Sequence, residues 1–247
     1  MSFNIPLLLP TILSRQLFGE KTTFVELLEP AACHMHSLPY DPDEALLTLT
    51  RVDMHLATLI ERAGPIPREL PQARSPFSAL TRSIIYQQLS GKAAATIHGR
   101  VEALFFDGGM ADPAQMAEIS DEALRGAGLS RAKVAAVKDL AAKTLEGIVP
   151  PLDVLKKMRD DDIIEHLIQV RGIGPWTVQM FLMFWLGRPD VLPAADLGVR
   201  KGFMLTYGLD KLPTPATLVA HGELWRPFRS VASWYMWRAV DLQKAGE

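Results

Sequence analysis

The sequence predicts an all-α protein, and three observations lead to that fold class. In almost every periodic segment, apolar residues recur at the three- and four-residue spacing of helices that bury one face. No pair of alternating segments flanks a tight glycine turn, so no β-hairpin is indicated. The 247 residues, 48% of them hydrophobic, are enough for one large folded domain or two small ones.

The beginning of the chain is predicted to hold one long helix between two proline-rich segments. Residues 1–40 contain four prolines and are expected to be irregular. A helix is expected from Asp41 to Arg62, with Gly64 ending it. Residues 64–76 contain four more prolines and are therefore predicted to form a linker.

Beyond this linker the pattern is helical as far as residue 243. Asp112, which is followed by a proline, and Ser130 are good N-caps for two of the helices. The connections between helices are short, as in most compact domains. The predicted helices comprise residues 77–88, 92–106, 112–119, 120–126, 130–145, 151–158, 160–169, 175–187, 197–207, 215–223 and 227–243.

Composition limits the classes of function. The net charge is −2, so binding to DNA would require a local basic face. The single cysteine, Cys33, excludes an intrachain disulfide and a four-cysteine metal site, and it favours a reducing compartment. Cys33 and His36 lack a second pair of ligands, so no metal held by side chains is predicted. No segment approaches the roughly 20 apolar residues of a membrane span.

The most informative segment is the predicted helix pair at 160–187. Gly172 and Gly174 in the turn permit a tight reversal and leave no side chain between the backbone and a partner. The N–H groups that begin the second helix point out of such a hairpin and can bind an anion such as a phosphate diester. A plain helical hairpin with a glycine turn has the same spacing, so both interpretations stay open at this point.

Several motifs together resemble one superfamily. Residues 170–177, VRGIGPWT, resemble the helix–hairpin–helix of DNA repair glycosylases, and residues 189–201 resemble the loop with an essential aspartate that completes its signature. Three further segments are similar to the 3-methyladenine DNA glycosylase II (alkylbase glycosylase) family, namely residues 76–90, 127–133 and 225–232. The resemblance is collinear over about residues 41–243. One departure is Ala195, where a glycine is expected before the aspartate.

The resemblance implies a two-lobed helix–hairpin–helix DNA glycosylase fold with the active-site cleft between the lobes. One lobe, residues 76–187, would carry the hairpin. The other would be discontinuous and combine residues 41–75 with 188–247, preceded by the irregular segment 1–40. Some family members carry an N-terminal β-rich domain, for which that segment is too short.

The implied function is that of a monofunctional DNA glycosylase, a hydrolase acting in base excision repair. It would flip alkylated purines of the 3-methyladenine and 7-methylguanine type out of duplex DNA and hydrolyse their N-glycosidic bonds. Double-stranded DNA is the expected partner, the protein is expected to be a monomer without membrane contact, and no cofactor is implied. The expected location is the cytoplasm of a prokaryote or the nucleus of a eukaryote.

Asp196 is the residue that the resemblance assigns to catalysis. Its local sequence fits an ordinary helix N-cap equally well. In the family it would stabilise the sugar cation and orient the attacking water. Trp176 stands where bifunctional relatives carry a lysine, so no Schiff base is expected at that position.

The resemblance also implies a base pocket and a duplex wedge. Trp176, Trp237, Gln87 and Tyr86 would line the pocket, where indole faces attract a cationic purine. Each tryptophan fits the hydrophobic core as well. Two residues, Gln88 and Leu89, would enter the gap that the extruded nucleotide leaves. The local pattern at Gln87 and Gln88 also fits a helix end emerging into solvent.

Contacts with the DNA backbone are expected at the hairpin and at the start of the helix after residue 130. The predicted residues are Arg171, Gly172, Ile173, Gly174, Thr177, Ser130 and Lys133. The carbonyls of Val170 and Ile173 are candidates for a structural monovalent cation at the hairpin. Two alternatives remain at this point, namely a non-catalytic DNA-binding module and a glycosylase–lyase for oxidised bases.

Overall fold

A computed structural model describes residues 35–71, 75–105 and 112–246. Their regular secondary structure is almost entirely helical, which confirms the all-α prediction. Most of the segment predicted to be irregular, together with Cys33 and the predicted helix end near residue 106, lies outside the described residues. Within the described ranges, no group of three or more His, Cys, Asp or Glu residues is placed to hold a metal ion. No helix there is long and apolar enough to cross a membrane.

The secondary structure of the described residues consists of helices and one small ribbon. In chain order the elements are β1 (Met35–Ser37), α1 (Pro42–Val52), α2 (Met54–Ala63), β2 (Glu69–Pro71), α3 (Pro76–Tyr86), α4 (Gly91–Glu102), α5 (Pro113–Glu118), α6 (Asp121–Gly126), α7 (Arg131–Leu145), α8 (Leu152–Leu155), α9 (Asp160–Leu167), α10 (Pro175–Phe184), α11 (Leu197–Thr206), α12 (Pro215–Gly222), a 3₁₀ turn (Glu223–Trp225) and α13 (Arg229–Ala245).

The chain divides into two compact units. The hairpin unit comprises residues 72–186, and the discontinuous unit combines residues 1–71 with 187–247. The lobe boundaries implied by the resemblance, after residues 75 and 187, fall close to these divisions. The discontinuous unit is built from β1, β2, α1, α2 and α11–α13, and the hairpin unit is built from α3–α10.

The ribbon in the discontinuous unit was not predicted. β1 and β2 pair antiparallel, with Met35 opposite Pro71 and Ser37 opposite Glu69. Strands of three residues are too short to display the apolar alternation that identifies a strand from sequence. The prolines that flank β2 also favoured the linker interpretation of this segment.

The prediction of one helix from residue 41 to residue 62 was wrong, because the chain breaks at Asp53 into α1 and α2. Asp53 has extended backbone angles (φ −145°, ψ 103°), and its carboxylate accepts a hydrogen bond from the Leu56 N–H at 3.0 Å. The same buried side chain accepts from Trp225 Nε1 at 2.9 Å and contacts His221 Nε2 at 3.1 Å. The Tyr207 hydroxyl donates to it as well. Partners so distant in sequence cannot be read from the local pattern.

Helices α11 and α13 form the closest helix contact of the discontinuous unit. A Cβ on Gly202 would lie only 1.8 Å from the backbone oxygen of Met236, so this approach requires glycine. Trp225, Tyr235 and Trp237 are completely buried around it. The C-terminal helix is therefore a central element of this unit.

In the hairpin unit, α7 packs against α3 and α5, and α9 and α10 form the predicted hairpin. The N-caps foreseen at Asp112 and Ser130 are confirmed, since each side chain accepts from the N–H three residues on. α10 ends at Phe184, three residues earlier than predicted, and it is buried on nearly every side.

Candidate active site

The carboxylate of Asp196 lies at the N-terminus of α11 and is held by two donors. Its Oδ1 accepts from the Val199 N–H at 2.8 Å and from Trp237 Nε1 at 2.9 Å. Asp196 itself is 2% exposed, whereas the neighbouring Ala195 and Leu197 are exposed, so the carboxylate lies just beneath the surface. The positive end of the α11 dipole and the two donors stabilise its negative charge and fix its direction. The predicted capping role is thus confirmed.

The loop that leads to Asp196 is fastened to the start of α13. The Ser230 hydroxyl donates to the Arg188 carbonyl at 2.6 Å and accepts from the Val191 N–H at 2.9 Å. The Ser230 N–H donates to the Pro189 carbonyl at 2.9 Å. Since α13 also provides Trp237, one helix positions both the loop and the carboxylate.

An ionic cluster reinforces the same loop. Asp190 pairs with Arg229 at 2.7 Å and with Arg226 at 2.6 Å, and Arg226 also pairs with Glu223. Both arginines are therefore engaged within the discontinuous unit. Asp190 and Ser230 were not predicted from the sequence, because their partners lie about 40 residues away.

The backbone before Asp196 does not require the glycine that the family motif has there. Among the described residues, Gln88 is the only one other than glycine with a positive φ. Ala195 therefore has a backbone conformation that any residue can adopt. The departure from the expected motif leaves the position of the Asp196 carboxylate unaffected.

The hairpin turn in the other unit depends on Gly172 but not on Gly174 for its shape. Gly172 has a φ of +79°, and the Ile173 N–H donates to the Val170 carbonyl at 3.0 Å. Gly174 is the N-cap of α10 with a φ of −103°, and a Cβ there would meet nothing within 4 Å. No side chain caps this helix start. The backbone N–H groups at the start of α10 are therefore not capped by a side chain, as an anion site requires.

Asp139 of α7 holds the beginning of the turn. Its Oδ2 accepts from the Arg171 N–H at 2.7 Å and from Lys143 Nζ at 2.8 Å. Burial works to raise the pKa of this carboxyl, but the hydrogen bonds from Arg171 and Lys143 outweigh it and leave the pKa lowered. Asp139 was not predicted from the sequence. The only local signal was its four-residue spacing from Lys143, which is common on exposed helices.

The predicted DNA-contacting residues of the hairpin are placed at different depths. Arg171 and Gly172 are exposed and Gly174 is half-buried, whereas Ile173 and Thr177 are buried within the turn. Contacts by the two buried residues would thus run through their backbone. Their predicted roles toward DNA stay predictions.

The predicted pocket residues also separate by exposure. Trp176 is half-buried at the start of α10. Tyr86 is 1% exposed beneath the Arg82 guanidinium, and Trp237 is completely buried. Both rings are thus enclosed by the protein in this structure, and their roles toward a base stay predictions. Gln87 directs its Nε2 to the Gly172 carbonyl at 3.0 Å, so it touches the hairpin turn.

The predicted wedge residues follow directly after α3, which ends at Tyr86 rather than at Gln88. Gln88 is exposed and has a φ of +59°, and Leu89 is half-buried. A left-handed conformation costs a residue with a side chain roughly 1–2 kcal/mol and often marks a functional position. Lys133 does not extend into solvent here, because its Nζ donates to the carbonyls of Ile85 and Gln87.

Comparison with known proteins places this geometry in a family. The HhH-GPD superfamily of base excision DNA repair proteins matches residues 81–227. The chain belongs to this superfamily. The match includes the end of α3, the hairpin and Asp196, and it ends before Trp237.

One similar protein and two solved structures are matched over nearly their whole length. DNA-3-methyladenine glycosylase 1 of Schizosaccharomyces pombe is 32% identical over 210 residues, covering 82% of this chain and 92% of the relative. The crystal structure of DNA-3-methyladenine glycosidase from Bacillus halodurans has a TM-score of 0.74 and 35% identity, covering 86% and 94%. The S. pombe 3-methyladenine DNA glycosylase in complex with abasic DNA has a TM-score of 0.71 and 33% identity, covering 79% and 95%.

Proposed function

We propose that this protein is a monofunctional DNA glycosylase that excises alkylated purines from duplex DNA in base excision repair. The observation that carries the proposal is the buried Asp196 carboxylate, held by the Val199 N–H and the Trp237 indole in a chain of this superfamily. Relatives named DNA-3-methyladenine glycosylases support the substrate class. A solved relative bound to abasic DNA supports the reaction, because an abasic site is what base release leaves.

An alkylated purine needs little assistance from the enzyme to act as the leaving group. A purine alkylated at N3 or N7 carries a positive charge, so the electron pair of the breaking C1′–N bond neutralises it. The demanding part is the oxocarbenium-like sugar, which a nearby carboxylate stabilises. Asp196 is proposed to supply that charge and to accept the proton of the water that bonds to C1′.

The base is proposed to be recognised at the hairpin unit by Trp176. Its half-buried indole at the start of α10 can stack on a cationic purine, and cation–π attraction favours alkylated over neutral bases. An indole cannot form an imine, so strand cleavage through a Schiff base is not expected at this residue. A covalent adduct trapped with borohydride would favour the glycosylase–lyase alternative.

The DNA backbone is proposed to bind the first turn of α10, where Arg171, Gly172 and Gly174 are accessible, and the exposed Ser130 at the start of α7. Phosphate contacts there make binding sensitive to salt.

We also propose a structural monovalent cation on the carbonyls of Val170 and Ile173. The Ile173 N–H fixes the direction of the Val170 carbonyl, and the second lone pair of that oxygen can act as a ligand. Affinity for DNA that depends on K⁺ at constant ionic strength would test this.

The decisive experiment is release of methylated bases from duplex DNA under single-turnover conditions. Asp196→Asn keeps an N-cap acceptor but removes the charge, and it is expected to lower the rate by about 10²-fold or more. Asp112→Asn is the matched control, since Asp112 caps α5 by the same contact, at 2.9 Å from the Gln115 N–H. Binding to DNA is measured separately for every variant.

Three outcomes separate the alternatives. Release by the wild type and the Asp112 variant, with loss in the Asp196 variant, supports the proposal. Base release by Asp196→Asn at the wild-type rate would show that the carboxylate has no catalytic role. Intact binding without release by any protein would instead favour a non-catalytic DNA-binding module.

A further inference from the structure

The turn that follows α3 has a backbone conformation that is unfavourable in isolation. Gln87 leaves the helix with φ −52° and ψ 129°, and Gln88 then has a φ of +59°. The hydrogen bond inside this turn, from the Leu89 N–H to the Tyr86 carbonyl, is long at 3.3 Å. A left-handed residue with a side chain persists only where its surroundings hold it.

Lys133 is the side chain that holds this turn. Its Nζ donates to the Ile85 carbonyl at 2.6 Å and to the Gln87 carbonyl at 2.7 Å, so one ammonium bridges the backbone on both sides of Tyr86. The last carbonyls of a helix lack partners within the helix, and a cation is favourable at that end of its dipole. The contact therefore fixes where α3 ends and how the chain leaves it.

The same helix braces the hairpin. Asp139, on α7 like Lys133, accepts from the Arg171 N–H, and Lys143 donates to the Gln169 carbonyl. Gln87 closes the connection by donating to Gly172. Gln88 and Leu89 lie in the turn after α3, the wedge turn. This turn and the hairpin turn both belong to the hairpin unit, and they are thus tied to α7 and to each other.

The partly buried position of Lys133 agrees with an internal role. The side chain is half-buried, and burial lowers its pKa to about 8. Surface lysines that bind phosphate keep their ammonium in water. Lys138, one and a half turns further along α7, makes a similar contact with the Ala117 and Ile119 carbonyls at the end of α5. It offers a control of the same chemistry away from the wedge turn.

We infer that Lys133 is a positioning residue for duplex opening, which holds residues 86–90 so that Gln88 and Leu89 enter the gap left by the extruded nucleotide. This inference rests on the proposed glycosylase function. It differs from the predicted contact between Lys133 and the DNA backbone, since the Nζ directs two of its N–H groups to carbonyls inside the protein.

The test compares Lys133→Met with Lys138→Met on two duplexes. In one, the methylated base is paired normally; in the other, it faces an abasic analogue, so extrusion costs less. Lys133→Met is expected to slow single-turnover excision at least tenfold on the paired duplex and less than threefold on the other. Lys138→Met is expected to change both rates by the same factor. Equal losses on both duplexes for Lys133→Met would overturn the inference, because a general structural defect has that effect.

A second measurement does not depend on catalysis. 2-Aminopurine placed opposite an abasic analogue reports unstacking when the wild-type protein binds at saturation. At saturation, Lys133→Met is expected to give a clearly smaller increase in 2-aminopurine fluorescence than the wild type. An increase equal to that of the wild type would contradict the inference. If no protein excises the base, the proposed function fails while this signal still tests Lys133. Should the methionine variant lose cooperative unfolding, Lys133→Gln takes its place in both assays.

Discussion

The indole Nε1 of Trp237 donates to Oδ1 of Asp196 over 2.9 Å, and both side chains are buried. The same oxygen accepts from the Val199 N–H, so α13 and the first turn of α11 fix the carboxylate together. This contact makes Trp237 a positioning residue for Asp196. The base-stacking role that the resemblance implies for its ring stays a prediction.

Replacing Trp237 by phenylalanine should therefore lower catalysis more than binding. The variant loses a hydrogen bond to a charged group, worth about 1.5–3 kcal/mol, so the excision rate should fall about tenfold to a hundredfold. Affinity for DNA with an abasic analogue should change little. Single-turnover kinetics and a binding titration measure the two quantities.

Trp234→Phe is the matched control for that change. Trp234 is buried on the same helix, but its Nε1 has no hydrogen-bond partner in the described structure. Both variants remove the same atoms from the core, so a loss caused by packing alone would be equal in the two. Equal excision rates would refute the positioning role of Trp237.

The two hairpin glycines should respond differently to alanine. Gly172 has a φ of +79°, so Gly172→Ala should destabilise the protein by about 1–2 kcal/mol. Gly174→Ala has no such strain and meets open space, so it should cost no more than about 1 kcal/mol as an N-cap change. It should weaken DNA binding about tenfold by placing a methyl group beside the backbone N–H groups that start α10. Thermal unfolding and salt-dependent binding give both values. Unimpaired binding by Gly174→Ala would contradict a phosphate site at this turn.

Alanine at Gly202 should be among the most damaging small substitutions. The added Cβ would fall 1.8 Å from the Met236 carbonyl oxygen, so α11 and α13 must separate at a cost of about 3 kcal/mol or more. Gly99→Ala, in the exposed face of α4 with no atom within 4 Å, should raise stability by about 0.5–1 kcal/mol. Denaturant titration distinguishes them, and a stable Gly202→Ala protein would show that the helix contact adapts.

Stability should depend on Asp53 in acid. Burial raises the pKa of this carboxyl, but hydrogen bonds from Tyr207, the Leu56 N–H, Trp225 and His221 outweigh it, so the pKa lies below its ordinary value of 3.8. The unfolded chain then binds a proton more readily, and stability is lost as the pH falls below about 4. Asp53→Asn should lower the free energy of unfolding at pH 7 by about 3 kcal/mol. The variant should then lose less of its remaining stability than the wild type when the pH falls.

The control for this comparison is Asp41→Asn at the exposed N-cap of α1. It should change the free energy of unfolding at pH 7 by only about 0.5 kcal/mol. An Asp53→Asn protein with the wild-type acid dependence would show that this carboxylate does not contribute to it.

Local signals predicted much of the molecule, and contacts between distant residues account for the rest. The caps at Asp112 and Ser130 and the glycine turn at Gly172 depend on neighbours within a few residues, so they were correct from sequence. The break at Asp53 depends on Trp225, which is 172 residues away. The internal bonds of Lys133 likewise required the position of α3 relative to α7.

The order of elements along the chain has a consequence for how the protein emerges from the ribosome. The hairpin unit is a continuous segment, and it can fold as soon as its last residues are synthesised. The discontinuous unit must wait, since Asp53 meets Tyr207, His221 and Trp225 only when the final helices appear. Vectorial synthesis therefore completes the hairpin before the contact between Asp196 and Trp237 can form. A nascent or truncated chain can have a finished hairpin while the Asp196 carboxylate still lacks its indole donor.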